Sequence, residues 1–462
     1  QAARRSWSHS RIAAFGSTRR AGMSAAEDPQ IRMLLEARTP VVTLFGKSWR
    51  LHVDEVLKVG VEDNREMIRD SVRHLTVSGR EVVYDAEHFF DGYKDDPEHA
   101  LATLRAAVDG GARILVLCDT NGGTMPWEVG EIVRAVAAQF EVPLGIHSHN
   151  DCGLGVACAL EAVRAGAVQV QGTINGYGER TGNCNLTSLI PSLQLKMGRR
   201  VVDDLAKLSE LSLFVDEQAN CPHDIRAPYV GSTAFAHKGG MHVNAVQKLA
   251  KSYEHIEPSS VGNSQHILVS ELSGQSNVLL KAHELGYDLE KGSPEVRDIL
   301  DRVKQLEARG YEFEAAEGSF ELLMRKALSP HKPLFQLLEY HTTFRRSGSE
   351  SCNTCEATVK MMVNGRREYT VSEGDGPVHA LDKALRKALR PFYPQIDEVS
   401  LLDYKVRILD SAEATAARTR VLIVSTDRHR QWGTVGVSDN IIEASWEALV
   451  DSMEFKLLCD GV

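Results

Sequence analysis

The sequence predicts an α/β fold for its first part, with a parallel sheet that is covered by helices. From Arg11 to about Arg200, short apolar runs alternate with amphipathic segments of helical period. The runs are almost continuously apolar, which is typical of parallel strands that are buried on both faces. The runs end in Gly, Asp, His or Asn, so polar side chains collect at the carboxyl ends of the predicted strands.

Six such runs define the predicted strands in chain order. They are RIAAFG from Arg11, PVVTLFG from Pro40, REVVYDAEHF from Arg80, RILVLCDTNGG from Arg113, PLGIHSHND from Pro143 and VQVQGTINGYGER from Val168. A doubly wound sheet and a (β/α)8 TIM barrel would both show this alternation. The first helix lacks the GxGxxG opening of a dinucleotide-binding sheet, and barrel enzymes keep their chemistry at the carboxyl ends of their strands. We therefore predict a TIM barrel that lacks its first two βα units.

The remaining sequence predicts two further domains, so that the three domains comprise residues 1–199, 200–349 and 350–462. The middle domain reads as helical linker subdomains, and its last part, up to residue 349, as a linker. The last domain contains two segments with the same order of strand, strand and helix. Asn364-Gly365 in the first segment is a strong hairpin signal. Two such modules predict an α+β domain that binds a small molecule between the modules or mediates dimerisation.

The composition restricts the class of protein. Of the 462 residues, 43% are hydrophobic and 25% charged, and the net charge is −10. This length suits two or three globular domains, and the acidic balance disfavours nucleic acid as the main partner. No apolar run is long enough to span a membrane. The eight cysteines are scattered, as free thiols are, so we expect a cytoplasmic protein. Cys352 and Cys355 form a lone CxxC, which we interpret as part of a solvated linker.

The segment GIHSHNDCGLG predicts a metal site. It places His147 and His149 two residues apart at the end of a strand, so both imidazoles point to the same face. Two neutral imidazoles with oxygen ligands suit a divalent ion such as Mg²⁺, Mn²⁺ or Zn²⁺, whereas a closed structural zinc site would need four protein ligands. Polar residues at the ends of other strands are expected near them: Glu87, Asp119, Thr120, Asn175, Glu179, Arg180 and Asn183.

Two motifs together resemble a known family. HxHND, followed about 30 residues later by NGxGERxGN, is similar to the 2-isopropylmalate synthase, homocitrate synthase and citramalate synthase family. FGSTRR, FGKSW, YDAEHFFDGY and CDTNGGT resemble the citramalate synthase branch, and the resemblance covers nearly the whole chain. It implies an acyltransferase that condenses acetyl-CoA with pyruvate to (R)-citramalate in isoleucine biosynthesis. It also implies a divalent metal, a homodimer, and isoleucine as an effector of the C-terminal domain.

The resemblance assigns a metal-binding role to His147, His149 and Asn183. The family begins its barrel with a strand that ends in Arg-Asp, whose aspartate is a metal ligand, and no such strand is printed here. Asp70 follows Arg69 but is predicted to lie in the middle of a helix, facing solvent or a neighbouring helix. We therefore expect the gene to extend about 50 to 70 residues upstream, the length of two βα units, and the printed chain to be inactive or nearly so.

The resemblance also assigns catalytic and substrate-binding roles. Glu87 corresponds to the strand-end glutamate beside the substrate, and Thr120 to the threonine that holds the carboxylate of the 2-oxo acid. His242 corresponds to the general base or its assistant, which the partner subunit delivers. Where some relatives carry a tyrosine after that loop, this sequence offers Gln265 or His266.

Several alternatives remain open from the sequence. In the first alternative, the chain is a 2-isopropylmalate or homocitrate synthase that uses another 2-oxo acid. In the second, it is a metal-dependent aldolase or lyase that needs neither CoA nor the C-terminal repeat. A third alternative is an inactive fragment that serves as a binding or regulatory subunit. Arg19, Arg20 and Lys47 follow strand ends and are either contacts for CoA phosphates or solvated surface charges.

Overall fold

The computed structural model describes residues 7–237, 249, 252–267, 275–284, 286–328, 333–346, 353–409, 417–427 and 430–461. The chain forms two compact units, Gln1–Phe235 with Ile256–Ser264, and Ala236–His255 with Gln265–Val462. The strands are β1 Ala13–Ser17, β2 Val41–Lys47, β3 Glu81–Glu87, β4 Ile114–Asp119, β5 Leu144–Ser148, β6 Gln169–Gln171, β7 Ala236–His237, β8 His266–Ile267, β9 Phe335–Arg346, β10 Asn353–Val363, β11 Arg366–Gly374, β12 Ser400–Ile408, β13 Thr419–Thr426 and β14 Gln431–Ser438.

The α-helices fall between these strands and follow their order along the chain. They are α1 Pro29–Glu36, α2 Arg50–His52, α3 Val61–Val77, α4 Phe89–Asp95, α5 Pro97–Gly110, α6 Pro126–Ala137, α7 Gly155–Arg164, α8 Leu186–Pro191, α9 Leu208–Ala219, α10 Gln275–Glu284, α11 Pro294–Ala308, α12 Glu317–Leu328, α13 Pro377–Leu389 and α14 Ile441–Cys459. Among the described residues, none of these helices is both long and apolar enough to cross a membrane.

The first unit is built on a parallel sheet of six strands in the order β1 to β6. All six strands predicted from the sequence are confirmed, and each pairs with the next along the chain, as in a TIM barrel. The core lies between this sheet and its helices and contains Leu44, Tyr84, Leu117 and Ile146, all fully buried. The sheet is therefore the scaffold that the sequence predicts.

Local sequence sets the ends of the outer helices. The Asp28 carboxylate accepts a hydrogen bond from the Gln30 amide at 2.7 Å and caps α1, while Asp96 caps α5 through the His99 amide at 3.0 Å. A proline follows each cap, and its fixed φ suits the first helical position. Gly111 ends α5 with a φ of 99°, a left-handed conformation that costs glycine little.

The C-terminal part of the second unit contains two modules of the same build. Each has three antiparallel strands and one long helix: β9, β10, β11 with α13, and β12, β13, β14 with α14. The hairpin at Asn364-Gly365 joins β10 to β11, as predicted. The first strand of each module was not predicted, and the segment interpreted as a linker before residue 349 instead contains β9, which pairs with β10 along its length.

The interpretation of Cys355 as part of a solvated linker is wrong. Cys355 lies in β10 and is 1% exposed. It packs with Val359, Leu385 and Trp432 in the core that the two modules share. Cys352 lies outside the described residues. A sulfur in this core contributes as a small apolar side chain, and burial raises the pKa of the Cys355 thiol.

Candidate active site

The carboxyl end of β5 brings the two predicted histidines together. His147 and His149 project from the same face of the strand, and their Nε2 atoms are 3.2 Å apart. Burial is the main cause that lowers the pKa of both imidazoles. Both rings are therefore neutral near pH 7, which is the form in which histidine binds a metal ion.

A hydrogen-bonded chain behind His147 fixes which nitrogen carries the proton. The Gln171 amide nitrogen donates to Asp85 at 2.9 Å, so its carbonyl oxygen is left to accept the Nδ1–H of His147, also at 2.9 Å. This arrangement leaves the Nε2 of His147 as a lone-pair donor. Such outer contacts are typical of histidines that bind metals. Burial raises the pKa of Asp85 to about 7.

The reasoning from sequence missed both Gln171 and Asp85. A signal was nevertheless present, because Asp85 alternates with Glu87 on one face of a strand that is otherwise apolar. Gln171 is a polar residue at the end of β6, and the register of the sheet pairs it directly with His147. The contact depends on that register, which a single sequence does not specify.

Asn183 supplies an oxygen beside the two imidazoles. Its backbone forms an isolated antiparallel bridge with His149, and its amide nitrogen donates to the Tyr177 carbonyl at 2.9 Å. The other end of the amide, Oδ1, is buried and has no hydrogen-bond partner among the described residues. A buried acceptor without a partner is costly unless a ligand satisfies it. The donor set of His147, His149 and Asn183 therefore fits a divalent cation.

This donor set is small. The described residues contain no group of three or more His, Cys, Asp or Glu side chains that could hold a metal ion. Two imidazoles and one amide oxygen are fewer ligands than a closed structural site uses, and they leave coordination positions for a substrate or water.

Glu87 is the last residue of β3, so it lies at the carboxyl ends of the strands, as His147 and His149 do. It pairs with Lys47. The Lys47 Nζ is 2.5 Å from the Glu87 carboxylate, and the register aligns the two residues on neighbouring strands. The Lys47 side chain is only 18% exposed. Lys47 is therefore not the solvated surface charge that was one of its two interpretations.

Thr120 follows β4 and is held from two sides. Its hydroxyl oxygen accepts the backbone N–H of His88 at 2.8 Å, which leaves the hydroxyl hydrogen available to a ligand. Its carbonyl oxygen accepts the Nη2–H of Arg180 at 2.7 Å. The neighbouring Asp119 is committed to its own loop, because its carboxylate accepts both the amide and the hydroxyl of Thr124.

A cleft of about 210 Å³ opens at the ends of β1 and β2. Its lining includes three cationic side chains and several apolar ones. The cations are Arg19, Arg20 and Lys47, and the larger apolar side chains are Phe45, Leu57, Val59 and Met67. The Arg19 Nε lies 2.6 Å from Asp70, which also accepts the Ala25 amide at 2.9 Å. Asp70 lies in the middle of α3, as predicted, and is partly exposed, but the prediction missed that its carboxylate anchors the β1–α1 loop beside this cleft.

Gln265 and His266, which the sequence offers where some relatives carry a tyrosine, belong to the second unit. His242 lies outside the described residues. Gln265 donates its amide Nε2–H to Glu254 at 2.6 Å, and His266 begins the two-residue strand β8.

Known family models match the chain in three consecutive segments. The HMGL-like model matches residues 1–215, the homocitrate synthase post-HMGL domain-like model residues 229–311, and the LeuA allosteric (dimerisation) domain model residues 314–457.

Individual relatives are similar to this chain over nearly its whole length. The (R)-citramalate synthase of Geobacter sulfurreducens is 51% identical over 97% of this chain and 86% of its own length. That of Aquifex aeolicus is 52% identical over 100% of this chain and 88% of its own length. A 2-isopropylmalate synthase of Methanocaldococcus jannaschii is 27% identical over 94% of this chain and 81% of its own length. This chain therefore belongs to the (R)-citramalate synthase family.

Proposed function

We propose that this chain is an acyltransferase that condenses acetyl-CoA with pyruvate to give (R)-citramalate and CoA, a reaction of isoleucine biosynthesis. The observation that carries the proposal is the identity of 51% and 52% to relatives named (R)-citramalate synthase, over 97% and 100% of the chain. The relative named 2-isopropylmalate synthase is only 27% identical, which favours pyruvate over a branched 2-oxo acid. The LeuA match over residues 314–457 argues against a simple aldolase or lyase.

The enzyme uses a divalent metal, and we assign its binding to His147, His149 and Asn183. The neutral imidazoles and the buried Oδ1 of Asn183 support this assignment. The chemistry that such an ion supplies when bound is polarisation of the keto group and compensation of the alkoxide charge. Mg²⁺, Mn²⁺ and Zn²⁺ all accept this mixed nitrogen and oxygen set.

Thr120 and Glu87 act on the substrates in this proposal. The Thr120 hydroxyl already accepts one hydrogen bond, so it donates its own hydrogen to the pyruvate carboxylate. Glu87, paired with Lys47, orients the reacting groups at the end of β3. His242 removes a proton from the acetyl-CoA methyl group or assists in its removal. The enolate carbon then attacks the keto carbon of pyruvate, whose oxygen becomes an alkoxide and takes up a proton, and water cleaves the thioester to give the free carboxylic acid and CoA.

The cleft at the ends of β1 and β2 is our proposed site for part of acetyl-CoA. Its apolar side chains suit the pantetheine arm, and its cations suit a phosphate. Arg19 and Lys47 are committed to Asp70 and Glu87 at 2.6 Å and 2.5 Å. Arg20 is 65% exposed and 3.9 Å from Asp28, so it is the cation most able to turn towards a phosphate.

We propose that the C-terminal domain regulates activity and mediates dimerisation, which the match to the LeuA allosteric (dimerisation) domain model supports. We propose isoleucine as the effector, because it is the end product of the pathway in which citramalate is made. In this proposal the enzyme is a homodimer, and the effector binds to residues of the C-terminal domain.

The proposal is tested by the release of free CoA from acetyl-CoA, with mass spectrometry of the product. In a protein that also carries the upstream strand expected from the sequence, we expect release to require pyruvate and a divalent ion, and His147→Ala and His149→Ala each to abolish it and to weaken metal binding. The control is His74→Ala, in the last turn of α3, which should retain both CoA release and metal binding. CoA release that is independent of pyruvate, or that both His147→Ala and His149→Ala retain, would contradict the proposal.

A further inference from the structure

Arg180 makes an unusual set of contacts in the loop that follows β6. Its Nε and Nη2 atoms donate to the two carboxylate oxygens of Asp151 at 2.8 Å and 3.0 Å. The same Nη2 donates to the Thr120 carbonyl at 2.7 Å, and Nη1 donates to Glu179 at 2.7 Å. One guanidinium therefore contacts residues from three loops of the first unit.

These three loops carry groups that the proposed function uses. Thr120 begins the β4–α6 loop, Asp151 follows His149 in the β5–α7 loop, and Arg180 precedes Asn183 in the β6–α8 loop. Backbone bonds also link the loops: the Asn150 amide donates to Gly182 at 2.9 Å, and the Cys152 amide to Gly122 at 3.2 Å.

The packing between two of the loops leaves little room for adjustment. A Cβ atom at Gly122 would lie 2.5 Å from the Asp151 Oδ2, and Gly122 has a φ of +64°. Only glycine accepts both the close approach and the left-handed conformation without strain. Arg180 itself has a φ of 54°, which is uncommon for a residue other than glycine. The position of its guanidinium is therefore set by the backbone of the loop as well as by its partners.

We propose that Arg180 is a positioning residue that holds Thr120 in register with the metal-binding side chains His149 and Asn183. Its pair with Asp151 is partly exposed, at 41% and 25%, and such pairs add little to folding stability. Its effect is instead geometric, because the planar fork fixes direction as well as distance. The proposal rests on the roles given above to Thr120 and the metal site.

Arg180→Lys separates geometry from charge. Lysine keeps the positive charge near His149 but cannot bond both oxygens of Asp151 and the Thr120 carbonyl with one planar group. The chain offers a matched control in Arg164, which forms a similar two-bond pair with Glu161 at 2.8 Å and 2.7 Å on the exposed side of α7. Arg164→Lys therefore makes the same chemical change away from the site.

The first measurement is hydrogen–deuterium exchange of the amides of residues 120–124, which requires neither metal nor turnover. We expect about tenfold faster exchange in Arg180→Lys and in Asp151→Asn, with the double variant no faster than either alone. We also expect several-fold weaker Mn²⁺ binding by calorimetry, at an unchanged melting temperature. Exchange and Mn²⁺ binding within about twofold of the Arg164→Lys control would overturn the proposal.

Kinetics distinguishes this proposal from the proposed function. In Arg180→Lys we expect kcat/KM for pyruvate to fall by at least about tenfold, mainly through KM, while KM for acetyl-CoA changes little. An equal loss in all kinetic parameters together with a lower melting temperature would indicate a structural role only and would overturn the proposal. If the wild-type protein did not use pyruvate, the proposed function would fail, and the exchange experiment would still decide the role of Arg180.

Discussion

The tautomer of His147 is the most consequential detail at the scale of single residues. An imidazole can bind a metal ion through Nε2 only if that nitrogen is unprotonated, and the Nδ1–H···O contact to Gln171 enforces this form. Gln171 in turn depends on Asp85, to which it donates. The metal site therefore extends two residues beyond the side chains that would touch the ion.

Substitution of Gln171 tests this dependence. Gln171→Leu removes the acceptor for the His147 Nδ1–H and leaves Asp85 without its donor, so both imidazole orientation and tautomer are released. We expect metal affinity to fall about 10- to 100-fold, as for other orienting contacts behind metal-binding histidines. Competition with a chelator of known affinity measures the change. Gln139→Leu, at an exposed position in the turn after α6, serves as the control; equal affinities in the two variants would contradict this role of Gln171.

At the scale of secondary-structure elements, the strands of the first unit were predictable, whereas β9 and β12 were not. The strands β1 to β6 contain apolar runs because helices cover their sheet, and that covering leaves a clear pattern in the sequence. β12 is mostly exposed along its length, and β9 alternates exposed and half-buried residues, so neither shows an apolar run. His147 and His149 were predictable from strand alternation alone. Gln171 was not, because its contact depends on pairing between strands.

The packing of α12 against α14 gives a pH-dependent prediction. The Asp451 carboxyl on α14 accepts the Ser319 hydroxyl at 2.6 Å, and burial raises the pKa of Asp451 to about 6. An aspartate in an unfolded chain has a pKa of about 3.9. Between these values the folded chain binds more protons than the unfolded chain, so this group's contribution to stability falls as the pH rises from about 4 to about 6.

Asp451→Asn should remove this contribution. The asparagine keeps an acceptor for Ser319 and has no proton to lose. We expect the free energy of unfolding of the variant, relative to wild type, to rise with pH between about 4 and 6 by up to about 1.4 kcal/mol per unit. Urea unfolding at several pH values measures the difference. A difference that is flat or falls with pH would contradict this account of Asp451.

At the scale of the whole molecule, the chain combines a catalytic sheet with a regulatory domain of two related modules. Feedback by a pathway product requires two sites that are coupled in free energy, typically by 1 to 3 kcal/mol. We expect isoleucine to inhibit CoA release by about fivefold or more at saturation, with leucine and valine weaker. Inhibition curves with the three amino acids measure this. An enzyme indifferent to all three would contradict the proposed effector.

The central prediction is that the site formed by His147, His149 and Asn183 accepts pyruvate as its 2-oxo acid. The most direct test is the ratio of kcat/KM for pyruvate to that for 2-oxoisovalerate, measured as acetyl-CoA-dependent release of CoA with Mg²⁺ or Mn²⁺. One additional methylene group typically changes such ratios by about 10- to 200-fold, and 2-oxoisovalerate is larger than pyruvate by two carbon atoms, so we expect pyruvate to be favoured by at least about tenfold. An equal or reversed preference would contradict the account and would assign the chain to 2-isopropylmalate synthesis.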